Sequence, residues 1–152
     1  MKIFLRKIQL QTGLFLIVGL FCCSSIIAAE TLRPDLNGLR IKSPSSATVY
    51  LIDEGRRRAI PNPETYYNLF RDWNKIVVDI NVNSITSGPR ISNGAILAKS
   101  HHGKAVYLID NGVKRWIRSR QAMDKYYFSW KQIRAVDKIL LDFIPNGGTL
   151  LN

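Results

Sequence analysis

Two stretches of the chain share the same order of β-branched, aromatic and polar residues. Val49–Asp53 and Val106–Asp110 both have the sequence Val-Tyr-Leu-Ile-Asp, and each precedes a residue pair that ends in glycine and a second short run. The pair Asn111-Gly112 is typical of a two-residue hairpin turn, because a type I′ turn needs positive φ at both central positions. The pattern predicts two antiparallel β-hairpins.

A short helix is predicted after each hairpin. Asn62 and Ser119 are residue types that favour the N-cap position of a helix. Pro63 suits the first helical position, where a missing N–H group has no helical partner to lose. These signals predict helices that extend to about Phe70 and Tyr127.

Further short apolar segments flank the hairpins. Residues 38–43 and 94–100 are expected to form an opening strand in each half of the chain. Residues 148–151 look like a third opening strand without a following hairpin. We expect this last segment to be a closing strand that covers an otherwise exposed sheet edge.

The two-residue turn sets the pairing within each hairpin. It places Tyr107 opposite Trp116, and Leu108 opposite Arg115. Alternation turns Arg115, and likewise Arg58, towards the apolar face opposite a leucine. We therefore expect both to be structural arginines that bind carbonyl groups or an aspartate, rather than ligand-binding residues.

The hairpins belong to an internal repeat with an offset of 57 residues. Twelve of the 35 positions from 42 to 76 are identical to the position 57 residues later, including the pair Trp73 and Trp130. Self-similarity at one constant offset indicates a duplicated unit, and such units pack together to complete a core that neither builds alone. We expect each tryptophan to fill the space between helix and hairpin.

The predicted fold is α+β, with two tandem repeats, each a hairpin and a short helix, closed by a C-terminal strand. The boundaries are a linker at 30–36, repeat one at 37–93 and repeat two at 94–152, which together form one compact domain. The residues expected to form the repeated core are Val49, Leu51, Ile60, Trp73, Val106, Leu108, Ile117 and Trp130.

Residues 1–29 have the order of features found in a secretory signal. Three basic residues and no acidic one stand in the first seven positions, an uncharged apolar run covers 13–23, and Ala28-Ala29 provide small residues for cleavage. The alternative is an N-terminal anchor that stays uncleaved, which would be the one contact with a membrane. The leader predicts a secreted or periplasmic protein.

The composition of the exported part excludes two kinds of stabilising bond and indicates the charge of its partners. Both cysteines, Cys22 and Cys23, lie in the leader, so disulfides and cysteine-ligated zinc are excluded from the mature product. The chain has 22 basic and 11 acidic residues, and three of the basic ones belong to the leader. The remaining positive charge favours anionic partners.

The repeated segments resemble a known class of bacterial sequence. VYLIDEGRRRAIPNPETY and VYLIDNGVKRWIRS are similar to short tandem repeats of exported and surface proteins, with the pattern VYLI-x-x-G-x-(K/R)-R-x-I-P. Arg118 stands where that pattern prefers proline. Such repeats sometimes accompany cell-envelope or wall-degrading domains. The resemblance implies an extracytoplasmic, non-catalytic module and supplies no catalytic residue.

Motifs for catalysis and cofactor binding are absent from the sequence. It has no G-x-S-x-G, no phosphate-binding loop and no dinucleotide-binding glycine motif. His101-His102 has no carboxylate nearby in the sequence and favours a surface loop over a metal site. Asp53 and Asp110 precede hairpin turns, which favours turn capping over a pair of catalytic carboxylates. We predict no enzyme activity, no cofactor and no metal.

Basic and aromatic side chains provide the candidate binding surface. Arginine beside exposed aromatic rings suits sugar rings or partner proteins. Export and the lack of a nucleic-acid motif argue against nucleic acid. The alternative for the arginines is a solvated strand edge that discourages aggregation. The candidate ligand-binding residues are Arg56, Arg57, Tyr67, Lys114, Trp116, Arg118, Arg120 and Tyr126.

Two function classes follow from this surface. The first is an exported, non-catalytic binding module for an anionic cell-envelope polymer or glycan. The second is a structural or protein-interaction module of the envelope, or an inhibitor of a secreted hydrolase. The partner is accordingly expected to be an envelope polysaccharide or an envelope protein.

Overall fold

The computed structural model describes residues 30–150. The predicted leader at 1–29 lies outside the described residues, as do the last two residues of the chain. The described part is an α+β fold with nine strands in two sheets and three short α-helices. Three single-turn 3-10 helices connect these elements, at Pro34–Leu36, Val82–Ser84 and Trp130–Gln132.

The first sheet has four strands in the order β3-β2-β1-β4. β2 pairs antiparallel with β1 and with β3, and β4 pairs parallel with β1. Helix α1 follows the β2-β3 hairpin. The bounds are β1 Arg40–Lys42, β2 Val49–Asp53, β3 Arg56–Ala59, α1 Pro63–Leu69 and β4 Ile76–Val78.

The second sheet has five strands in the order β8-β5-β6-β7-β9. β6 pairs antiparallel with β5 and with β7, whereas the two outer strands pair parallel with their neighbours. The bounds are β5 Ile96–Ser100, β6 Val106–Asp110, β7 Val113–Ile117, α2 Arg120–Lys125, β8 Arg134–Val136, α3 Lys138–Phe143 and β9 Asn146–Thr149.

Both predicted hairpins and their registers are confirmed. Tyr107 pairs with Trp116 and Leu108 with Arg115, as the two-residue turn requires. At the turn of the second hairpin, Asn111 has a φ of 49° and the glycine after it 75°. Glu54 has a φ of 53°, so the first hairpin makes the same left-handed turn with a less favourable residue.

The helix starts and the approximate helix ends are also as predicted. Asn62 Oδ1 accepts a hydrogen bond of 2.8 Å from the Thr65 amide, and Ser119 Oγ accepts one of 3.1 Å from the Ala122 amide. Each cap satisfies one of the amide groups that a helix N-terminus leaves without a partner. Helix α3 was not predicted, because residues 138–143 lie where the sequence repeat loses its constant offset.

The segments at the two ends of the described chain both pack on strands. β9 pairs with β7 and begins two residues before the predicted strand at 148–151. Residue 151, the last of that predicted strand, lies outside the described part. Residues 30–36 were expected to be a linker. In this segment the amide of Thr31 donates to Ser84 O and that of Arg33 donates to Gly55 O, both at 2.8 Å. This segment is therefore held against the first sheet.

One apolar core joins the two sheets. Phe70 and Phe128 stack with ring centroids 5.6 Å apart, and their backbones form an antiparallel bridge. Because the core takes side chains from both hairpins and both following helices, neither sheet completes it alone. Six predicted core residues lie in this cluster: Val49, Leu51, Ile60, Val106, Leu108 and Ile117.

The predicted core position of the two repeated tryptophans is wrong. Trp73 is 42% exposed and Trp130 is 45% exposed. Tyr66, within α1, and Tyr126, directly after α2, are buried instead. Both tryptophans come after their helix has ended, and Trp73 stacks on the outer face of Tyr66.

Candidate functional site

A groove runs beside the second hairpin and contains several of the predicted binding residues. It lies between the start of β6, the end of β7 and the N-terminus of α2, and its volume is about 460 Å³. We call it the second groove. It is lined by Lys104, Ala105, Val106, Trp116, Ile117, Arg118, Ser119, Arg120, Met123 and Trp130.

The end of β7 and the start of α2 place these side chains around one opening. Strand alternation buries Ile117 and leaves its neighbour Trp116 39% exposed. The chain then leaves β7, and Ser119 caps α2. This places the exposed Arg118 and Arg120 on either side of the cap, at the mouth of the groove.

The second groove is strongly cationic. It has three basic side chains, Lys104, Arg118 and Arg120, and none of the described residues that line it is acidic. Arg120 lies 5.9 Å from the centre of the Trp130 ring, within cation–π range. A shallower depression beside it includes Asp124, whose carboxylate is paired with Arg71. The positive charge inside the groove is therefore not neutralised by its own lining.

A corresponding groove lies beside the first hairpin. Its volume is about 280 Å³, and each of its lining residues stands 57 positions before a residue of the second groove. No side chain among these described residues is charged. We call it the first groove. It is lined by Ala47, Thr48, Val49, Ile60, Pro61, Asn62, Pro63, Tyr66 and Trp73.

Trp73 is fixed in position at the rim of the first groove. Its ring stacks on Tyr66 with centroids 3.8 Å apart and an interplanar angle of 5°. Its indole Nε1 donates a 2.7 Å hydrogen bond to the Tyr67 hydroxyl, and the Tyr67 ring stands edge-on to it. Tyr66 in turn donates to the Asp72 carbonyl at 2.8 Å and accepts from buried Arg40. The half-exposed indole is thus held by two tyrosines.

The predicted ligand-binding residues do not form one surface. Trp116, Arg118 and Arg120 come together in the second groove. Tyr67 is exposed but lies beside Trp73, in the first sheet's half of the molecule. Tyr126 was predicted to bind ligand, which is wrong because its side chain is fully buried.

The remaining predicted cations are engaged with the backbone. Arg57 Nε donates to Ile85 O at 2.7 Å, and Arg56 reaches Ser87 O at 3.4 Å. Lys114 Nζ donates to Leu141 O at 2.6 Å. These contacts connect β3 to residues 85–87 and β7 to helix α3, and the three side chains stand outside both grooves.

Two of the basic and aromatic side chains that line the second groove were missed by sequence reasoning. Trp130 was assigned to the core because it recurs in the repeat, and Lys104 was not singled out. The sequence carried no sufficient signal for either, because the offset of 57 relates them to Trp73 and Ala47 without showing that those residues border a groove. Recurrence alone does not separate a buried residue from one that borders a repeated groove.

A buried ionic cluster lies apart from both grooves. Asp53 accepts hydrogen bonds from Arg58, Arg115 and the Tyr126 hydroxyl. Asp110 pairs with Arg58 and also accepts from the Ser92 amide at 2.8 Å. The prediction of structural arginines is confirmed. The interpretation of the two aspartates as simple turn caps is wrong, since they bind arginines from both hairpins.

The histidine pair lies on the surface. His101 and His102 are exposed, and His101 Nε2 is 3.8 Å from Asp137 Oδ1, a carboxylate distant in sequence. Residues 30–150 contain no group of three or more histidine, cysteine, aspartate or glutamate side chains placed to hold a metal ion. Within the same range, no helix has the length and apolar character needed to cross a bilayer.

Comparisons of the whole chain with protein-family models, with curated proteins and with solved structures found no match.

Proposed function

We propose that this protein is an exported, non-catalytic module that binds an acidic cell-envelope polysaccharide in the second groove. The observation that carries this proposal is the convergence of Lys104, Arg118 and Arg120 with two exposed tryptophans around one opening. A polysaccharide with carboxylate or phosphate groups offers both ring faces for the indoles and anions for the cations. The leader and the resemblance to repeats of exported proteins support an envelope partner.

Electrostatics favours a charged ligand over a neutral one at this groove. In the described structure, neither Arg118 nor Arg120 forms an ion pair. An anionic ligand would therefore bind cations that are already available, without displacing an internal carboxylate. Because the groove is open to solvent, added salt would weaken the attraction.

The proposal includes an architecture of two repeats with a closing strand. The amide of Ile91 donates to Ala59 O, and the amide of Leu150 donates to Trp116 O, both at 3.0 Å. Ala59 and Trp116 are 57 residues apart, and their partners are 59 apart, so each hairpin edge is covered by a later segment. This arrangement supports two related units whose second edge is closed by β9.

A protein-interaction role is the second candidate, and one observation favours it. Helix α3 exposes Ile139, Leu140 and Phe143 by 70%, 62% and 81%. Exposed apolar side chains grouped on one short helix are typical of contact surfaces. Substituting these three residues with serine would abolish capture of an envelope protein, whereas polysaccharide binding through the second groove would remain.

Calorimetric titration with alginate, a polyuronate, tests the main proposal. The double variant Arg118→Ser/Arg120→Ser is expected to weaken binding about tenfold or more at low salt, corresponding to about 0.7 kcal/mol for each cation. The wild-type affinity should fall with added salt, and the variant's should fall less. Lys125→Ser/Lys138→Ser is the matched control, because it removes two exposed lysines outside the groove. Equal losses in both variants would refute a site in the second groove.

A further inference from the structure

We infer that the first groove is a second carbohydrate subsite, which takes an uncharged sugar ring stacked on Trp73. The inference rests on the proposed function, because it assigns the first groove to the same class of ligand. Its own basis is the geometry of Trp73 and the absence of charge among the lining residues that the structure describes.

The indole of Trp73 is a preorganised platform. A tryptophan exposed by 42% leaves much apolar surface in water, which is unfavourable unless another molecule covers it. Here the ring cannot turn inwards, because Tyr66 stacks on one face and Tyr67 holds its nitrogen. A ligand that stacks on the free part of this ring would lose little additional side-chain entropy on binding.

The chemistry of the groove fits a neutral sugar ring. The apolar C–H face of such a ring matches the indole and the two prolines, Pro61 and Pro63. Its hydroxyl groups need polar partners, and Thr48 provides a hydroxyl for which the described residues show no hydrogen bond. Asn62 is already used, because its side chain caps α1 and donates to Asn93.

Binding of an anionic sugar is disfavoured in the first groove. The three positions that carry the cations of the second groove are occupied by alanine and the two prolines in the first. A carboxylate there would lose part of its hydration without gaining a basic partner. We therefore assign the charged and uncharged rings of a polysaccharide to different grooves.

Titration with cellotriose, an uncharged trisaccharide, tests this inference by NMR. The protein has three tryptophans, so the indole N–H signals can be assigned individually. The expected result is a shift of the Trp73 signal with little change at Trp130, and no weakening of binding by salt. Trp73→Ala should reduce the affinity at least tenfold, whereas Arg118→Ser/Arg120→Ser should leave it unchanged.

The outcomes separate this inference from the proposed function. Alginate binding through the second groove, combined with no Trp73 shift at millimolar cellotriose, would overturn the second subsite and leave the proposed function standing. A Trp73 shift without any alginate binding would support the first groove while the acidic-ligand proposal fails. If Trp73→Ala does not fold, Thr48→Val keeps the test open, because it removes only the hydroxyl and should also weaken cellotriose binding.

Discussion

The two grooves are lined by residues at corresponding positions of the sequence repeat and differ in chemistry. In both, a buried valine and a buried isoleucine form the base, and a half-exposed tryptophan forms the rim. Three rim positions change from Ala47, Pro61 and Pro63 to lysine or arginine 57 residues later. The comparison shows that the buried positions keep the same residue types, while three rim positions make one groove uncharged and the other cationic.

The grooves also differ in how firmly the tryptophan is held. Beneath Trp73 lies Tyr66, a rigid ring with a flat face, whereas the corresponding residue of the second groove is the flexible Met123. Buried Arg40 strengthens the first arrangement, since it donates to the carbonyls of Asp72 and Asn74 on either side of Trp73. Trp73 therefore has a ring stack and an indole hydrogen bond, whereas the contact described for Trp130 is the cation–π contact with Arg120.

The largest expected effect concerns the ionic cluster that joins the two hairpins. Asp53 accepts bonds from two arginines and a tyrosine, whereas Asp110 pairs with one arginine and also accepts from the amide and hydroxyl of Ser92. Asp53→Ala should cost about 3–5 kcal/mol of unfolding free energy, because it leaves the buried guanidinium of Arg115 with the exposed Glu54 as its one carboxylate partner among the described residues. Asp110→Ala should cost about 1.5–3 kcal/mol, since Arg58 keeps Asp53 and the Pro89 carbonyl.

Urea unfolding of the two variants measures this difference. Asp142→Ala is a matched control, because its carboxylate pairs with Lys138 on the surface and should contribute little. Equal destabilisation by Asp53→Ala and Asp110→Ala would contradict the unequal roles that the contacts assign to them.

Much of the fold follows from local signals in the sequence. The Asn111-Gly112 pair specifies a left-handed two-residue turn, and that turn alone sets the pairing of Tyr107 with Trp116. Asn62 and Ser119 mark the helix starts for an equally local reason, the hydrogen bond of a cap. Such features depend on neighbours in the chain, which the sequence displays directly.

The site was harder to predict because it depends on distant neighbours. The burial of Tyr126 follows from where α2 packs, and the exposure of Trp130 follows from where α2 ends. The sequence predicts Arg57 as a ligand-binding residue, but its side chain donates to Ile85 O, which is 28 positions away. Charge and residue type alone do not show which cations remain available to a ligand.

An intermediate loss of unfolding free energy is expected when either Trp73 or Trp130 is replaced by alanine. Trp73→Ala should lower the unfolding free energy by about 1–2 kcal/mol, because it deletes a stacked ring and its hydrogen bond to Tyr67. Trp130→Ala should cost less than about 1 kcal/mol, as expected for a half-exposed side chain without such a stack. Urea unfolding of both variants provides the measurement.

Tyr67→Phe serves as the control for this comparison. It keeps the edge-on ring beside Trp73 and removes only the hydroxyl that accepts the indole hydrogen bond. Its cost should lie between zero and that of Trp73→Ala. A loss of several kcal/mol on Trp130→Ala would instead restore that residue to the core and remove it from the second groove.

The smallest expected change in unfolding free energy is a decline at alkaline pH, to which the two buried tyrosines, Tyr66 and Tyr126, should contribute unequally. Burial raises the pKa of both Tyr66 and Tyr126. For Tyr126 the Asp53 carboxylate raises it further, whereas for Tyr66 the positive charge of Arg40 counteracts the effect of burial.

A folded-state pKa above the unfolded value of about 10 means that stability is present below that pH and declines as the pH rises past it. The unfolding free energy should therefore fall above about pH 10. Tyr126→Phe should flatten that decline more than Tyr66→Phe does, because the phenolate of Tyr126 would face a carboxylate. Urea unfolding at a series of pH values from 8 to about 11 measures both slopes. An identical pH dependence in the two variants would show that the Asp53 contact does not distinguish the tyrosines.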